Sequence, residues 1–318
     1  MTNVTTEQVG TGSPGRRQLG TGSARARRVR RNLVGWGFAL PWALLFVVFL
    51  AGPILASLVL SFTDFGLRDL RNPLGASFIG IDNFLRLIQD PKFLQASFNT
   101  MYFVVAGVPL TLASGLAVAL LLNSAVIRFK NLFRMGFYLP VVTSIVAIAV
   151  IWRYLLHPDL GLVNAALAAI GIDGPNWLAH PTLAMPAIIA MAVWRNVGFV
   201  MVIFLAGLQG IPKDLYEAAS VDGSSKWAEF RYITLPMLRP VMLFASVITG
   251  IGYLQLFEEP FVMTAGGPLD RTLSVTMYVY EQGFNFLNFG YASAVAYALF
   301  VAIVVLTVIN FRMLRPQT

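Results

Sequence analysis

Six long apolar segments constrain the fold of this chain more than any other feature. An apolar helix of about 20 residues crosses the hydrocarbon core of a bilayer, because a helix satisfies its own backbone hydrogen bonds. Only 12% of the 318 residues are charged, about half the usual share for a soluble protein. The chain is therefore predicted to be an all-α transmembrane protein with six spans. The segments are residues 33–62, 96–127, 135–152, 183–208, 240–257 and 282–311.

Residues 1–31 differ from the rest of the chain. They are rich in Gly, Ser, Thr and Arg and end in RARRVRR, a composition that cannot bury enough apolar surface to form a core. We predict a disordered basic tail at 1–31, followed by one transmembrane domain at 32–318. The apolar run after the tail is longer than a signal-peptide core of about 7 to 15 residues, so it is predicted to be an uncleaved first span.

The positions of Lys and Arg predict the orientation of the chain. Of the 23 such residues, seven lie in the tail, three at 128–134, four at 209–239 and two at the carboxyl end. Loops rich in Lys and Arg stay on the cytoplasmic side of a membrane. Both termini and the segment 209–239 are therefore predicted to be cytoplasmic.

Several apolar segments contain a proline. Proline lacks a backbone N–H and bends a helix, and inside a membrane it is tolerated where the freed groups find partners. These positions could mark bends beside a pathway or ordinary kinks in packed helices. They are Pro41, Pro53, Pro109, Pro140 and Pro186.

The polar segment 209–239, between the fourth and fifth apolar segments, carries helix start and stop signals. Pro212 suits a first helical turn, and Asp214 places negative charge near the helix amino terminus. Gly223 suits a left-handed helix stop. These signals predict a short helix over 213–222, with Pro212 as its start signal and Gly223 as its stop signal.

A second short helix is predicted to start at about Ser225 and to end before Leu235 and Pro236. In the first helix, four residues share one side at helical spacing, and two of them are alanines small enough to let another protein approach the backbone. That side is predicted to dock a partner. Its residues are Leu215, Ala218, Ala219 and Asp222.

The sequence EAA at 217–219, followed by Gly223, Ile233 and the pair Leu235 and Pro236, resembles the signature cytoplasmic loop of binding-protein-dependent ATP-binding-cassette importer permeases. Three further stretches extend the likeness to the sugar-permease subgroup related to maltose-type transporters. They are residues 206–219 (AGLQGIPKDLYEAA), 257–268 (FEEPFVMTAGGP) and 78–84 (FIGIDNF).

This resemblance implies a six-helix polytopic permease bundle with a cytoplasmic coupling helix in the EAA loop at 209–239. It implies a second homologous permease, an ATPase dimer and an extracytoplasmic solute-binding protein as partners, in the cytoplasmic (inner) membrane of a bacterium or archaeon. The imported substrate would be a sugar. The residues expected to couple to the ATPase are Glu217, Ala218, Ala219, Asp222, Gly223, Leu235 and Pro236.

The chain carries no recognisable catalytic motif, so we predict that it is not an enzyme. It has no GxxxxGK phosphate loop, no HExxH and no GxSxG, and it contains no Cys. His157 and His180 each precede a proline in loop positions and are predicted to be structural. We therefore expect no cofactor or metal on this chain, with ATP and Mg²⁺ bound by the partner ATPase.

Polar residues within or near the apolar segments are candidates for a substrate pathway. Arg195 lies near the middle of the fourth segment, where a charge costs at least about 2.5 to 3.5 kcal/mol. It should face a water-filled cavity or a carboxylate, or form an ion pair that only fixes helix packing. Glu258 and Glu259 could line the same pathway or form a solvated helix end. The candidates are Trp194, Arg195, Asn196, Tyr253, Gln255, Glu258 and Glu259.

Two alternatives to sugar import stay open from the sequence. Arg195 would suit an anion such as glycerol phosphate or a related phosphodiester, although a single Arg beside two Glu makes a poor anion site. A secondary carrier driven by an ion gradient is a different class. It would need acidic pairs deep within the spans, whereas the acidic pair here lies near a span end.

Overall fold

The computed structural model describes residues 36–72, 75–124 and 128–314. The predicted basic tail at 1–31 lies outside these residues. Contacts divide the chain into two units, Met1–Ala56 and Ser57–Thr318, which are described separately. In the described residues the regular structure is helical, apart from an isolated antiparallel bridge between Thr63 and Phe78.

The first helix, α1, is Trp36–Leu60, and most of it belongs to the first unit. A π-helical turn interrupts it at Val47–Ala51. Pro53 follows that turn, in the first residues of the α-helical segment Gly52–Leu60.

Twelve more helices lie in the described part of the second unit. They are α2 (Asp82–Gln89), α3 (Pro91–Asn123), α4 (Lys130–Val142), α5 (Ile145–Leu155), α6 (Leu162–Ala169), α7 (Ala184–Gln209), α8 (Lys213–Val221), α9 (Lys226–Met237), α10 (Arg239–Leu254), α11 (Glu258–Met263), α12 (Val275–Tyr280) and α13 (Phe289–Leu314). A π turn follows α12 at Glu281–Asn285.

Within the described residues, four helices are long and apolar enough to cross a membrane alone, namely α1, α3, α7 and α13. The count reaches six if two bent pairs each make one span, α4 with α5 and α9 with α10. The third apolar segment, 135–152, is not one continuous helix, because α4 and α5 meet at 98°. Pro140 lies two residues before the end of α4 and cannot donate its backbone hydrogen bond, so the helix is weak at this point.

Two other predicted boundaries need correction. The fifth apolar segment was expected to run to residue 257, but α10 ends at Leu254 and a new short helix begins at Glu258. The sixth was expected to begin at Gln282, but that residue lies in the π turn after α12. Leu287 then adopts a positive φ of 56°, so α13 begins only at Phe289.

Helix α7 is the centre of the second unit, and glycines set how closely its neighbours approach. Gly198 of α7 faces the backbone of α4, since a Cβ there would lie 1.9 Å from the carbonyl oxygen of Phe137. On α3, a Cβ at Gly115 would lie 2.6 Å from Cγ1 of Val200 on α7. Small residues of this kind allow close helix packing inside membranes, where dispersion contacts replace the hydrophobic effect.

A carboxylate network joins the start of α3 to α12 and α13. Asp90 precedes the α3 span and accepts hydrogen bonds from the hydroxyls of Tyr278 (2.5 Å) and Tyr291 (2.6 Å) and from the amide of Lys92 (2.9 Å). Arg86 lies 4.3 Å above the Tyr291 ring. Partial burial acts to raise the pKa of Asp90, but its hydrogen bonds outweigh that effect and lower it below the ordinary value.

Candidate functional site

Helix α8 confirms the short helix predicted over 213–222, since it runs from Lys213 to Val221. Pro212 was expected inside the first turn, but it lies one residue earlier, at the cap position, with ψ of 132°. Proline suits this position, because its φ is fixed and it has no backbone N–H that would be left without a partner at a helix start. Asp214 occupies the first turn, where its charge complements the helix dipole.

Gly223 ends α8 in the predicted left-handed conformation, with φ of 76°. The amide of Ser224 donates to the carbonyl of Ala219 (2.9 Å), and the amide of Gly223 donates to the carbonyl of Ser220 (3.1 Å). This pair of bonds is the Schellman motif, which satisfies carbonyls at a helix end. A Cβ at Gly223 would meet no atom within 4 Å, so backbone conformation alone demands glycine here.

Helix α9 begins as predicted but does not end as predicted. The Ser225 side chain accepts a hydrogen bond from the amide of Ala228 (3.2 Å), which caps the helix start. The helix was expected to stop before Leu235 and Pro236, yet it continues through a π turn at Phe230–Thr234 and on to Met237. Pro236 falls in the first turn of the α-helical segment after the π turn, where a missing N–H is tolerated.

The two sides of α8 differ in burial. Leu215 is 41% exposed, while Tyr216 faces inward and packs against a buried cluster that includes Phe204 and Leu238. Glu217, Ala218 and Asp222 are exposed, and Ala219 is half-buried. Leu235 and Pro236 are half-buried in the path of α9, so the structure does not bring them to the exposed side of α8.

Large apolar side chains are exposed in the same polar segment. Val221 is 88% exposed, Trp227 72% and Tyr232 76%. We call these three residues and Leu215 the docking surface, after the docking role that the sequence predicts for this segment. Sequence reasoning missed these three residues, although apolar side chains in an otherwise polar loop could have been recognised as a signal. Exposed apolar residues in such numbers are typical of an interaction site.

A second group of predicted site residues meets where α7, α10 and α11 come together. Arg195 lies within electrostatic range of Tyr253 and Glu259. Its Nη1 lies 3.5 Å from Oδ1 of Asn196, and its Nε is buried without a hydrogen-bond partner. Glu259, a carboxylate, is thus near this charge, but among the described residues Arg195 forms no direct ion pair with it.

Tyr253 is buried and held between helices. It is 5% exposed, and its hydroxyl lies 2.7 Å from that of Thr111 on α3. Its ring packs against Phe103 and covers Gly107, where a Cβ would lie 2.7 Å from Cε2 of the tyrosine. Glu259 is also buried, at 8% exposure, whereas Gln255 and Glu258 are exposed. The predicted pathway residues thus fall into a packed set and an accessible set.

Trp194 is the most accessible aromatic residue of this group. It is 47% exposed, and its ring centroid lies 5.8 Å from that of Trp152 on α5. It lines a cavity of about 530 Å³ between α3 and α7 and a larger one of about 1100 Å³ beside α4. The large cavity is lined mainly by apolar side chains of α4. An aromatic wall of this kind can stack on the apolar face of a sugar ring.

Within the described residues, no group of three or more His, Cys, Asp or Glu side chains is placed to hold a metal ion. The candidate residues fall into an exposed segment at α8 and α9 and a buried polar cluster among the long helices.

Comparison with known proteins gives consistent matches. The family model described as "Binding-protein-dependent transport system inner membrane component" matches residues 92–315. The lactose transport system permease protein LacF of Rhizobium radiobacter is 40% identical, over 89% of this chain and 94% of that protein. The trehalose/maltose transport system permease protein MalF of Thermococcus litoralis is 31% identical, over 91% and 96%.

A solved structure shares the fold at similar length. A chain of a bacterial ABC transporter involved in the import of the acidic polysaccharide alginate aligns with a TM-score of 0.79 and 26% identity. The alignment covers 93% of this chain and 99% of that one. The chain therefore shares its fold with a chain of a solved transporter structure.

Proposed function

Because this chain belongs to the family of binding-protein-dependent transport system inner membrane components, we propose that it is the permease subunit of an ATP-driven sugar importer, in which it forms half of the translocation pathway. A sugar is supported by the relatives, whose names give lactose and trehalose or maltose as their substrates. The single observation that carries the proposal is that these relatives align over nearly their whole length.

Helix α8 is the element that couples this chain to its ATPase. Glu217 offers an exposed charge to a basic group on the partner, Ala218 allows close backbone approach, and Gly223 holds the turn that presents the helix. The exposed apolar side chains of the docking surface supply buried area on binding. Helices α8 and α9 therefore combine a rigid local shape with an apolar surface, as docking sites require.

The importer works by alternating access. ATP and Mg²⁺ bind to the partner ATPase pair, and the closure of this pair moves α8. The spans attached to α8 then move, so that the cavity reopens on the other side of the membrane. A second homologous permease completes the pathway, and an extracytoplasmic solute-binding protein delivers the sugar. The chain is a multi-pass protein of the cytoplasmic membrane of a bacterium or archaeon, with both termini on the cytoplasmic side.

The substrate pathway is best suited to a neutral sugar. Trp194 provides an accessible aromatic wall, and Asn196 provides hydrogen-bonding groups. Arg195 is the one Arg among these candidates and is accompanied by Glu258 and Glu259, a set of residues that makes a poor site for a phosphate. This balance disfavours glycerol phosphate or a phosphodiester as the imported molecule.

Affinity purification of the tagged chain from its native membrane in mild detergent tests the proposal. We expect a second permease carrying an EAA segment and an ATPase to be recovered with it, identified by mass spectrometry. Reconstituted in liposomes, the complex should take up lactose or maltose only with ATP inside and binding protein outside. A chain that purifies alone and transports under an ion gradient would instead be a secondary carrier.

A further inference from the structure

We propose that the hydrogen bond between Tyr216 on α8 and Thr234 on α9 transmits the movement of α8 to the fifth span. Tyr216 is then a positioning residue for coupling, and this inference rests on the function proposed above. The bond joins the hydroxyl groups at 2.9 Å. Thr234 is 5% exposed, so the bond is shielded from competing water.

The direction of this hydrogen bond follows from a second contact of Thr234. Oγ1 of Thr234 lies 3.4 Å from the carbonyl oxygen of Glu229 and donates its only proton there. With that proton engaged, the hydroxyl of Tyr216 donates to Thr234, although the 2.9 Å distance itself is compatible with either direction. Each hydroxyl has one defined role, so the link between the helices has a defined orientation.

The bond gives α8 a second point of attachment to α9. The first is the covalent turn at Gly223 and Ser224, beyond the end of α8 at Val221. Tyr216 lies more than one helical turn before that end. A helix held only at its end can pivot about the turn, whereas one held at two separated points must move with its neighbour.

The position of Thr234 directs this movement to the membrane. Thr234 is the last residue of the π turn at Phe230–Thr234, and α10 begins at Arg239 after a 64° bend. Between them, Leu238 is fully buried and packs in the cluster that contains α7 residues such as Phe204. A displacement of Thr234 is therefore transferred both to α10 and to the central helix.

Conservative variants separate the hydroxyl from the packing. Tyr216→Phe keeps the ring that contacts the buried cluster and removes only the donor. Thr234→Val removes the acceptor at nearly the same volume, and Thr234→Ser restores it. Tyr154→Phe is a matched control, since Tyr154 is 70% exposed and lies on α5, away from α8.

The test measures lactose imported per ATP hydrolysed by the purified complex in proteoliposomes. Tyr216→Phe and Thr234→Val should each lower this ratio by about fivefold, while ATP hydrolysis continues. This factor corresponds to the net free energy of one ordinary hydrogen bond. The double variant should lower it no further, because both changes remove the same bond. Thr234→Ser and the Tyr154→Phe control should keep the wild-type ratio. A wild-type ratio in Tyr216→Phe would overturn the inference.

A readout without sugar separates this inference from the proposed function. Nitroxide labels at Lys213→Cys, at the exposed start of α8, and at Ile248→Cys on α10 would be the only ones on this chain, which has no Cys of its own. With AMP-PNP and Mg²⁺, we expect the distance between labels to stay constant in the wild type and to broaden in Tyr216→Phe. Equal distributions would overturn the link. A wild-type complex that imports neither lactose nor maltose would instead overturn the proposed function.

Discussion

The docking segment, by which we mean α8 and α9, and the polar cluster of Arg195, Tyr253 and Glu259 are built in opposite ways. In the docking segment, each turn is set by residues next to it in sequence, such as Gly223 at the end of α8 and Ser225 at the start of α9. In the polar cluster, Arg195, Tyr253 and Glu259 come from three helices and meet only because those helices pack. Local signals specify the first site, and tertiary contacts specify the second.

This difference predicts which changes each region tolerates. A substitution in the docking segment should alter coupling while leaving the spans folded, since few long-range contacts depend on it. A substitution in the packed spans should lower stability first and transport as a consequence. The predictions below test this contrast in order of expected effect.

The largest effect is expected for Gly198→Ala in α7. Its Cβ would lie 1.9 Å from the carbonyl oxygen of Phe137, a backbone atom that cannot move aside without shifting α4. We expect destabilisation of more than about 3 kcal/mol. It would be seen as loss of the monodisperse peak after mild heating in detergent. Gly136→Ala on α4 is the control, because a Cβ there has no atom within 4 Å, and equal losses in both variants would contradict the packing argument.

Gly223→Val should have the next largest effect, on coupling rather than on insertion. A β-branched residue at φ of 76° costs about 1 to 2 kcal/mol and displaces the turn that presents α8. Sugar uptake should fall by about tenfold, while the amount of membrane-inserted chain stays at the wild-type level on immunoblots. Gly223→Asn should keep more activity, because Asn tolerates this conformation. Full sugar uptake by the Gly223→Val variant would show that coupling does not require Gly223.

Tyr253→Phe should lower stability by a smaller amount. The change removes the 2.7 Å hydrogen bond to Thr111 but keeps the ring over Gly107, so we expect a loss of about 1 kcal/mol. The measurement is the midpoint of thermal unfolding in detergent, compared with Tyr102→Phe, in which a 43% exposed tyrosine of α3 loses its hydroxyl. If transport falls by more than the loss of stability explains, Tyr253 would act in the substrate pathway and not only in helix packing.

The smallest effect is a pH dependence from Asp90. Its folded-state pKa is lower than the ordinary value of 3.8, so its carboxylate stabilises the fold above that pH. The contribution is lost as pH falls below about 4 and through the folded-state pKa. The midpoint of thermal unfolding should therefore drop in this range, and Asp90→Asn should show a shallower drop. The same slope in both proteins would assign the acid sensitivity to other carboxylates.

Much of the fold could be predicted because its signals are local. The apolar runs at 183–208 and 240–257 correspond closely to α7 and α10, and the capping residues located α8 within one residue. The stop expected at Pro236 was wrong because a π turn changed the hydrogen-bond register before it, and no sequence pattern signalled that turn.

The candidate pathway residues show how far side-chain polarity and position within an apolar segment can predict a site. Arg195 was expected to face a water-filled cavity or a carboxylate, because a charge in an apolar span is costly. The sequence could not tell that Glu259 and Tyr253 are buried while Glu258 and Gln255 are exposed, since all four lie within seven residues. Exposure there depends on which way the end of α10 and the start of α11 face their neighbours.

The sequence by itself determined a helical membrane chain, the docking helix α8 and its glycine stop, because hydropathy and capping act over a few residues. Only the tertiary structure decided the 98° bend between α4 and α5, the burial of Tyr253 against Thr111, and the bond from Tyr216 to Thr234. These features depend on contacts between residues distant in sequence or on the competition between a helix and its surroundings. Their energies are set by packing, which no local pattern encodes.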